Sequence, residues 1–286
     1  MPTERAQDAD EPAALAARRP RATTSPPEVA GVLRITRSLS SGKSAAVTTR
    51  RYVRAVDRAA RIAIVGDYSE QKETHRATTA EFAASGADCV WVATDGIGDP
   101  ARSLGRFAGL VIAPGGPYAD VDGALAAIGY ARERQVPLVG MCSGFQYVVL
   151  EFARSVLGLV GAVHGETDPE ADQRAVTALA CSLVGQRHRV RLEHGSRVAA
   201  IYGADSVIEP FYCSYGVNPV LEEELETAEL HVSGRDDEAS ARVLELADHP
   251  FFVATLYVFT ARDDRKDPHP LTTAFLDAAR AARPAA

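Results

Sequence analysis

Two kinds of segment alternate along the chain from residue 61 to about residue 157. Short apolar runs, typical of strands buried in a parallel sheet, are separated by longer stretches with the spacing of amphipathic helices. The pattern predicts strands at 62–66, 88–93, 110–113 and 136–141, and helices at 73–85, 119–135 and 146–157. Strands that alternate with helices indicate a parallel sheet with helices on both faces.

The second half of the chain has shorter apolar segments, which are more typical of antiparallel strands. It predicts short strands at 187–202, 229–234, 241–247 and 252–258, and a last amphipathic helix at 271–282. We therefore predict one α/β domain over residues 61–286, in which an antiparallel portion is added to the parallel sheet.

Residues 1–60 are rich in Ala, Arg, Pro, Ser and Thr and show little periodicity, which predicts a disordered arm with a lead-in helix at 49–60. Residues 1–61 carry twelve Lys and Arg against six Asp and Glu, whereas the rest carries nineteen against thirty-two. A basic arm can attract nucleic acid. Because its arginines are scattered and aromatic residues are few, we do not expect nucleic-acid binding.

Composition excludes several other classes of protein. No apolar run approaches the roughly 18 residues of a membrane span, and the first residues lack the apolar core of a signal peptide. We therefore expect no membrane association and a cytoplasmic location. The four cysteines are widely spaced, with no CxxC pair, which predicts reduced thiols and no metal site. Nothing in the sequence predicts a cofactor.

The segment 136–157 predicts a nucleophile at a sharp turn between a strand and a helix. Cys142 follows the apolar strand directly, so its thiol would lie at a helix N-terminus, where the thiolate is favoured. The backbone N–H of Ser143 could bind a developing oxyanion, and Gly116, after the strand at 110–113, could supply a second donor. The alternatives are a buried structural thiol and ordinary turn glycines.

From Arg61 to Ala282 the chain resembles the glutaminase domain of the CTP synthases, which are class I glutamine amidotransferases with a flavodoxin-like α/β fold. The resemblance is carried by an ordered set of segments: 64–68 with Glu70, Ala113-Pro-Gly-Gly116, Gly140-Met-Cys-Ser-Gly-Phe-Gln146, 151–159, Tyr215 with Val217-Asn-Pro219, Asp248-His-Pro-Phe-Phe-Val253 and His269-Pro-Leu271. No single segment is decisive, but their order along the chain predicts the same fold.

The resemblance implies a Cys–His–Glu triad in which Cys142 is the nucleophile. The family's histidine and glutamate lie in a His-Pro-Glu tripeptide after the strand at 252–258. In this chain Val258 stands at the histidine position and Thr260 at the glutamate position. Neither side chain can accept a proton as the mechanism requires, so the resemblance predicts an incomplete triad.

The resemblance also places Gly115, Gln146 and Tyr215 at the substrate. Glu166 matches the acidic residue that meets the amino group of glutamine, whereas Ser214 stands where an arginine holds its carboxylate. A serine cannot replace a bidentate guanidinium, so we expect free glutamine to bind poorly.

A catalytic base is then missing. His164, two residues from Glu166, is the first candidate, and His188 and Cys213 are weaker ones. Cys213 could instead pair with Cys142 in a redox function, which the sequence spacing does not test.

Three functions remain open. The first is a Cys142-dependent enzyme that attacks an amide, nitrile or similar carbon of a small amino or amide substrate; the Ala- and Arg-rich composition associates this with specialised biosynthesis. The second is a catalytically silent binding or regulatory protein. The third is a glutaminase subunit that acts with a separate synthetase, because the residues before 61 are too few for the family's ligase domain. The sequence allows a homo-oligomer.

Overall fold

The computed structural model describes residues 60–263 and 266–282, which lie within one compact unit, Arg54–Ala286. The helix predicted at 49–60 lies outside the described residues, apart from Ala60, and the predicted disorder of the arm lies outside them entirely. The domain boundary at residue 61 stays a prediction.

The strands are β1 Arg61–Val65, β2 Asp88–Val92, β3 Gly109–Ile112, β4 Leu138–Met141, β5 Val163–His164, β6 Arg174–Ala178, β7 Gln186–Leu192, β8 Ser206–Phe211, β9 Tyr215–Val217, β10 Leu230–Arg235, β11 Ala241–Leu246 and β12 Phe252–Thr255. The helices are α1 Glu73–Ala84, α2 Pro100–Leu104, α3 Val121–Arg134, α4 Ser143–Ser155, α5 Arg197–Tyr202, α6 Glu222–Thr227 and α7 Pro270–Ala281. Short 3₁₀ turns occur at Thr94–Gly96, Pro219–Leu221 and Phe259–Ala261.

Among the described residues, the strands form one sheet of nine and one of three. The larger sheet has the order β2-β1-β3-β4-β12-β11-β10-β7-β8. Pairing is parallel from β2 to β12 and antiparallel from β12 to β8. The predicted parallel sheet and its added antiparallel portion are therefore confirmed.

The central strands β1, β3, β4 and β12 are buried along their whole length, except for Arg61 at the start of β1. Their uninterrupted apolar sequence is what burial on both faces of a parallel sheet requires. Because these strands are parallel, their carboxyl ends share one edge, and the loops that follow them meet there. Ligand sites of open α/β sheets usually lie at this edge.

The prediction of a strand at 187–202 is wrong in its second half, which forms α5. The Ser196 hydroxyl caps this helix by accepting a hydrogen bond from the Ala199 N–H, and the Glu245 carboxylate accepts from the first two helical N–H groups. Gly203, with φ of 63°, ends the helix.

Within the described residues, no helix combines the length and the apolar composition needed to cross a membrane.

Candidate active site

Cys142 lies between β4 and α4 in a backbone conformation that L-residues seldom adopt, with φ of 52° and ψ of −107°. Gly144 allows the turn, since a Cβ atom there would lie 2.4 Å from the Ile112 carbonyl oxygen of β3. The Cys142 N–H is held by the Thr255 carbonyl oxygen at 2.9 Å. Such a conformation costs about 1–3 kcal/mol and persists where the surrounding structure enforces it. The predicted elbow is thus present.

The surroundings of Cys142 lower its pKa below the ordinary value. The neighbouring Cys213 thiol contributes most, the backbone N–H and hydroxyl of Ser143 and the Gly115 N–H add to it, and burial opposes ionisation. The N-terminus of α4 adds its dipole. The pKa of Cys213 is raised by its interaction with Cys142 and by burial, and its thiol donates to the Leu256 carbonyl oxygen at 3.5 Å. The site therefore favours a thiolate at Cys142 and a thiol at Cys213.

Side chains hold the carbonyl groups of the loop after β3 and thereby set the directions of the Gly115 and Gly116 N–H groups. The Tyr118 hydroxyl binds the Ala113 oxygen, His75 Nε2 binds the Pro114 oxygen at 2.8 Å, and Lys72 Nζ binds the Gly115 oxygen. His75 Nδ1 accepts the Ser69 N–H at 3.0 Å, so the proton of this ring is assigned to Nε2. These contacts orient the peptide groups of residues 114–116.

Gly115 and Gly116 then have different roles. Gly115, with φ of 94°, aims its N–H at the Cys142 sulfur. A Cβ atom at Gly115 would lie 2.5 Å from His75 Nε2, so only glycine fits. The Gly116 N–H donates to the Ser143 hydroxyl oxygen at 2.7 Å. The predicted oxyanion donor Gly116 is therefore bonded to Ser143, which in turn donates to Cys142.

Ser143→Ala should raise the pKa of Cys142. The variant removes one hydroxyl donor from the thiolate, and a hydrogen bond to a charged group contributes about 1.5 kcal/mol or more, which corresponds to about one pH unit. The pH at which Cys142 alkylation by iodoacetamide reaches half its maximal rate should rise by that amount. Ser206→Ala, at an exposed position of β8, is the matched control. If the midpoint of Cys142 alkylation is unchanged in Ser143→Ala, the Ser143 hydroxyl does not lower the pKa of Cys142.

Gln146, His164 and Tyr215 form a second group. The Gln146 amide donates to the Tyr215 carbonyl oxygen at 2.8 Å, and its oxygen lies 3.1 Å from His164 Nε2. His164 Nδ1 accepts the Glu166 N–H at 3.2 Å, which assigns the ring proton to Nε2. Burial lowers the pKa of His164 to about 4. Because both ring nitrogens are engaged and the ring is a weak base, this geometry argues against the predicted role of His164 as the catalytic base.

The remaining predicted substrate residues are differently placed. Glu166 is exposed, whereas Ser214 is half-buried, with its hydroxyl oxygen 2.8 Å from that of Ser182. Ser214 is thus part of a neutral hydroxyl pair, which offers a carboxylate no positive charge. His188, a weaker candidate base, lies in β7 with Nε2 2.8 Å from the Gln186 side-chain oxygen.

Val258 and Thr260 follow β12 at the same edge of the sheet and are fully buried. The Val258 N–H donates to the Pro210 carbonyl oxygen at 2.8 Å. The Thr260 hydroxyl lies 3.0 Å from that of Thr78 and donates to the Met141 sulfur at 3.8 Å. Both side chains therefore pack in the core, and neither supplies a group that can take a proton.

The described residues contain no cluster of three or more His, Cys, Asp or Glu side chains that could hold a metal ion. The site is instead a thiol centre built by Cys142, Ser143, Gly115 and Cys213. The sequence leaves a pairing of Cys213 with Cys142 open, and no spacing tests it. No local motif marks Lys72 and His75, because their contacts depend on the packing of α1 against the loop after β3.

Comparison with known proteins gives the family. A model of the family "Glutamine amidotransferase class-I" matches residues 72–255. The CTP synthase of Thermomicrobium roseum is 34% identical over 239 residues, which cover 77% of this chain and 43% of that protein. The CTP synthase of Methanopyrus kandleri is also 34% identical, over 77% of this chain and 45% of that protein. The chain thus spans less than half the length of these relatives.

Solved structures agree with this assignment. The glutaminase domain of Trypanosoma brucei CTPS, solved with bound acivicin, has a TM-score of 0.70 and 26% identity, and the match covers 78% of this chain and 95% of that one. A protein described as a putative GMP synthase subunit from Thermoplasma acidophilum, at 14% identity and a TM-score of 0.55, shares the fold. The chain therefore belongs to the class I glutamine amidotransferases and is similar, in sequence and in fold, to the glutaminase domain of CTP synthase.

Proposed function

We propose that the chain is a Cys142-dependent enzyme that acts on an amide or another carbon electrophile and whose substrate is not free glutamine. One observation carries the proposal. Cys142 lies at the sharp turn before α4, where the Cys213 thiol, Ser143 and the Gly115 N–H lower its pKa, while the positions aligned with the family's histidine and glutamate hold the buried side chains of Val258 and Thr260. The nucleophile is thus activated by donors in place of a base.

The missing base restricts the chemistry. Attack of a thiolate on a carbonyl carbon needs no proton transfer, but departure of an amine needs a proton, and hydrolysis of the acyl-enzyme needs a base for water. A substrate whose leaving group departs without a proton, such as a thioester, avoids the first requirement. A nitrile has no leaving group in the first step. These electrophiles fit the site better than a primary amide.

The pocket residues support a changed substrate. Ser214 lies at the position aligned with the carboxylate-binding arginine, and its hydroxyl faces Ser182. Glu166 is exposed and carries the charge that matches an amino group. We infer a ligand that keeps an amino group and lacks a free α-carboxylate. This inference rests on the alignment of these two positions with the family.

A catalytically silent binding protein is the second candidate, and one contact favours it. The Gly116 N–H, which would bind an oxyanion, is bonded to the Ser143 hydroxyl at 2.7 Å, and Cys142 is only 4% exposed. A substrate would have to displace this hydroxyl to complete the oxyanion hole. In a silent protein the contact would simply persist.

A glutaminase subunit that works with a separate synthetase is the third candidate. The segment matched in the CTP synthases of Thermomicrobium roseum and Methanopyrus kandleri covers 43% and 45% of those proteins, and in this candidate a separate synthetase supplies the remaining activity. This candidate requires a base that Val258 and Thr260 do not provide.

A panel of electrophiles tests the proposal. The protein is mixed with glutamine, a simple thioester and a small nitrile, and each reaction is followed by intact-protein mass spectrometry and product release. We expect a covalent adduct on Cys142 with the thioester or the nitrile and no ammonia release from glutamine above background. Ready hydrolysis of glutamine would contradict the proposal. Failure of every electrophile to modify Cys142 would favour the silent protein.

A further inference from the structure

Two free thiols meet at the candidate active site. Cys142 and Cys213 are 4% and 6% exposed, and each shifts the pKa of the other. Neither is part of a disulfide. Acyl transfer does not need a second thiol there.

The two cysteines are held by consecutive residues of one segment. The Cys142 N–H donates to the Thr255 carbonyl oxygen at 2.9 Å, and the Cys213 Sγ lies 3.5 Å from the Leu256 carbonyl oxygen. The end of β12 and the residue after it thus hold the Cys142 backbone and the Cys213 thiol, so the position of this pair depends on the central sheet more than on a flexible loop. A disulfide forms only if the two sulfur atoms can approach to bonding distance.

The pair is asymmetric, as a reactive dithiol requires. Donors favour the thiolate at Cys142, whereas Cys213 keeps its proton. Thiolates react with peroxides, and a neighbouring thiol then resolves the oxidised sulfur. The other cysteines lack this arrangement: burial and Asp88 raise the pKa of Cys89 to about 12, and Cys181 is exposed.

We propose that Cys142 and Cys213 form a redox-active dithiol site that reacts with small hydroperoxides and closes to a disulfide, which blocks the nucleophile. The burial of both thiols and the attachment of the two cysteines to the consecutive residues Thr255 and Leu256 carry this inference. It shares Cys142 with the proposed acyl chemistry but does not depend on that chemistry, since no acyl substrate takes part.

The reaction balances in two steps. The Cys142 thiolate attacks one oxygen of the hydroperoxide; an S–O bond forms, the O–O bond breaks, and the other oxygen leaves as an alcohol, or as water, after taking a proton from solvent. Cys142 is then a sulfenic acid, oxidised by two electrons. The Cys213 sulfur attacks it; an S–S bond forms, the S–O bond breaks, and hydroxide leaves with the Cys213 proton as water. A dithiol reductant, which receives the disulfide, restores both thiols.

Peroxide treatment followed by mass spectrometry tests the inference. Purified protein carrying Cys181→Ala is treated with one equivalent of hydrogen peroxide, and peptides are mapped without reduction. We expect the intact mass to fall by two hydrogen atoms, a cross-link between the Cys142 and Cys213 peptides, and loss of iodoacetamide labelling at Cys142. A dithiol reductant should restore the labelling.

Cys213→Ser is the decisive variant, since its hydroxyl keeps a donor of similar size but cannot form a disulfide. With at least two equivalents of hydrogen peroxide, one for each two-electron step, Cys142 of this variant should become sulfinic acid, and the dithiol reductant should no longer restore labelling. A wild-type protein that gives sulfinic acid at Cys142 under the same conditions, without any cross-link, would overturn the inference. That outcome would leave the acyl-enzyme experiment unaffected, so the two proposals can fail separately.

Discussion

Cys142→Ala is expected to abolish covalent reaction of the active site with carbon electrophiles while the protein stays folded. The variant removes the sulfur on which the donors of Cys213, Ser143 and Gly115 converge. The experiment is run with Cys181→Ala in both proteins, because that thiol is exposed, and the other two thiols do not replace Cys142: Cys89 has a pKa raised to about 12 and the pKa of Cys213 is also raised. Thioester-derived adducts should disappear from the mass spectrum, and circular dichroism should be unchanged.

Cys142→Gly is the informative companion of this variant. Glycine removes the thiol and also relieves the backbone at φ of 52°, where a non-glycine residue is strained. We expect it to unfold at a higher temperature than Cys142→Ala, by an amount that corresponds to about 1 kcal/mol. Equal reactivity of the wild type and both variants would show that the adducts form elsewhere and that Cys142 is not the nucleophile.

Val258→His combined with Thr260→Glu is expected to increase ammonia release from glutamine by about 10²-fold or more, the usual contribution of a positioned base. The pair introduces a base and an orienting carboxylate at the positions that the resemblance to the family implies for them. Ser214→Arg is added in a third variant to hold the glutamine carboxylate. The measurement is steady-state ammonia release, with folding checked in parallel because position 260 is fully buried.

Val258→Gln with Thr260→Gln is the matched control, because it introduces side chains of similar bulk that cannot act as a base. It should leave ammonia release at the wild-type level. If the His and Glu variant is folded and still inactive, even with Ser214→Arg, then the assignment of positions 258 and 260 to the triad is wrong. The base would then have to be sought elsewhere.

The parallel half of the fold could be predicted from the sequence because its strands are continuous apolar runs, as in β3 and β4. The antiparallel half of the fold is harder to predict from the sequence. The strand β8 has Glu209 and Pro210 in its second half, which local patterns associate with loops. Residues 197–202 contain apolar and β-branched side chains, which are typical of a strand. They form a helix because Ser196 and Glu245 accept hydrogen bonds from its first N–H groups.

In the candidate site, too, one part can be predicted from local sequence and another part depends on tertiary packing. The elbow of Cys142 is local in sequence, so strand, cysteine and small residues were enough to predict it. The contact with Cys213 joins residues 71 positions apart in the chain and depends on how β8, β9 and β12 pack. The role of His164 was inferred from its closeness in sequence to Glu166, and its burial and bonded ring nitrogens could not be predicted from that spacing.

The central claim is that neighbouring hydrogen-bond donors, and not a histidine base, lower the pKa of Cys142. The pH dependence of Cys142 alkylation in the wild-type protein tests it most directly, with iodoacetamide as the reagent and peptide mapping to isolate this thiol. The account predicts a single ionisation with a midpoint below about 8.5, the ordinary value for cysteine. A midpoint at or above that value would mean that burial outweighs the donors, and it would contradict the account.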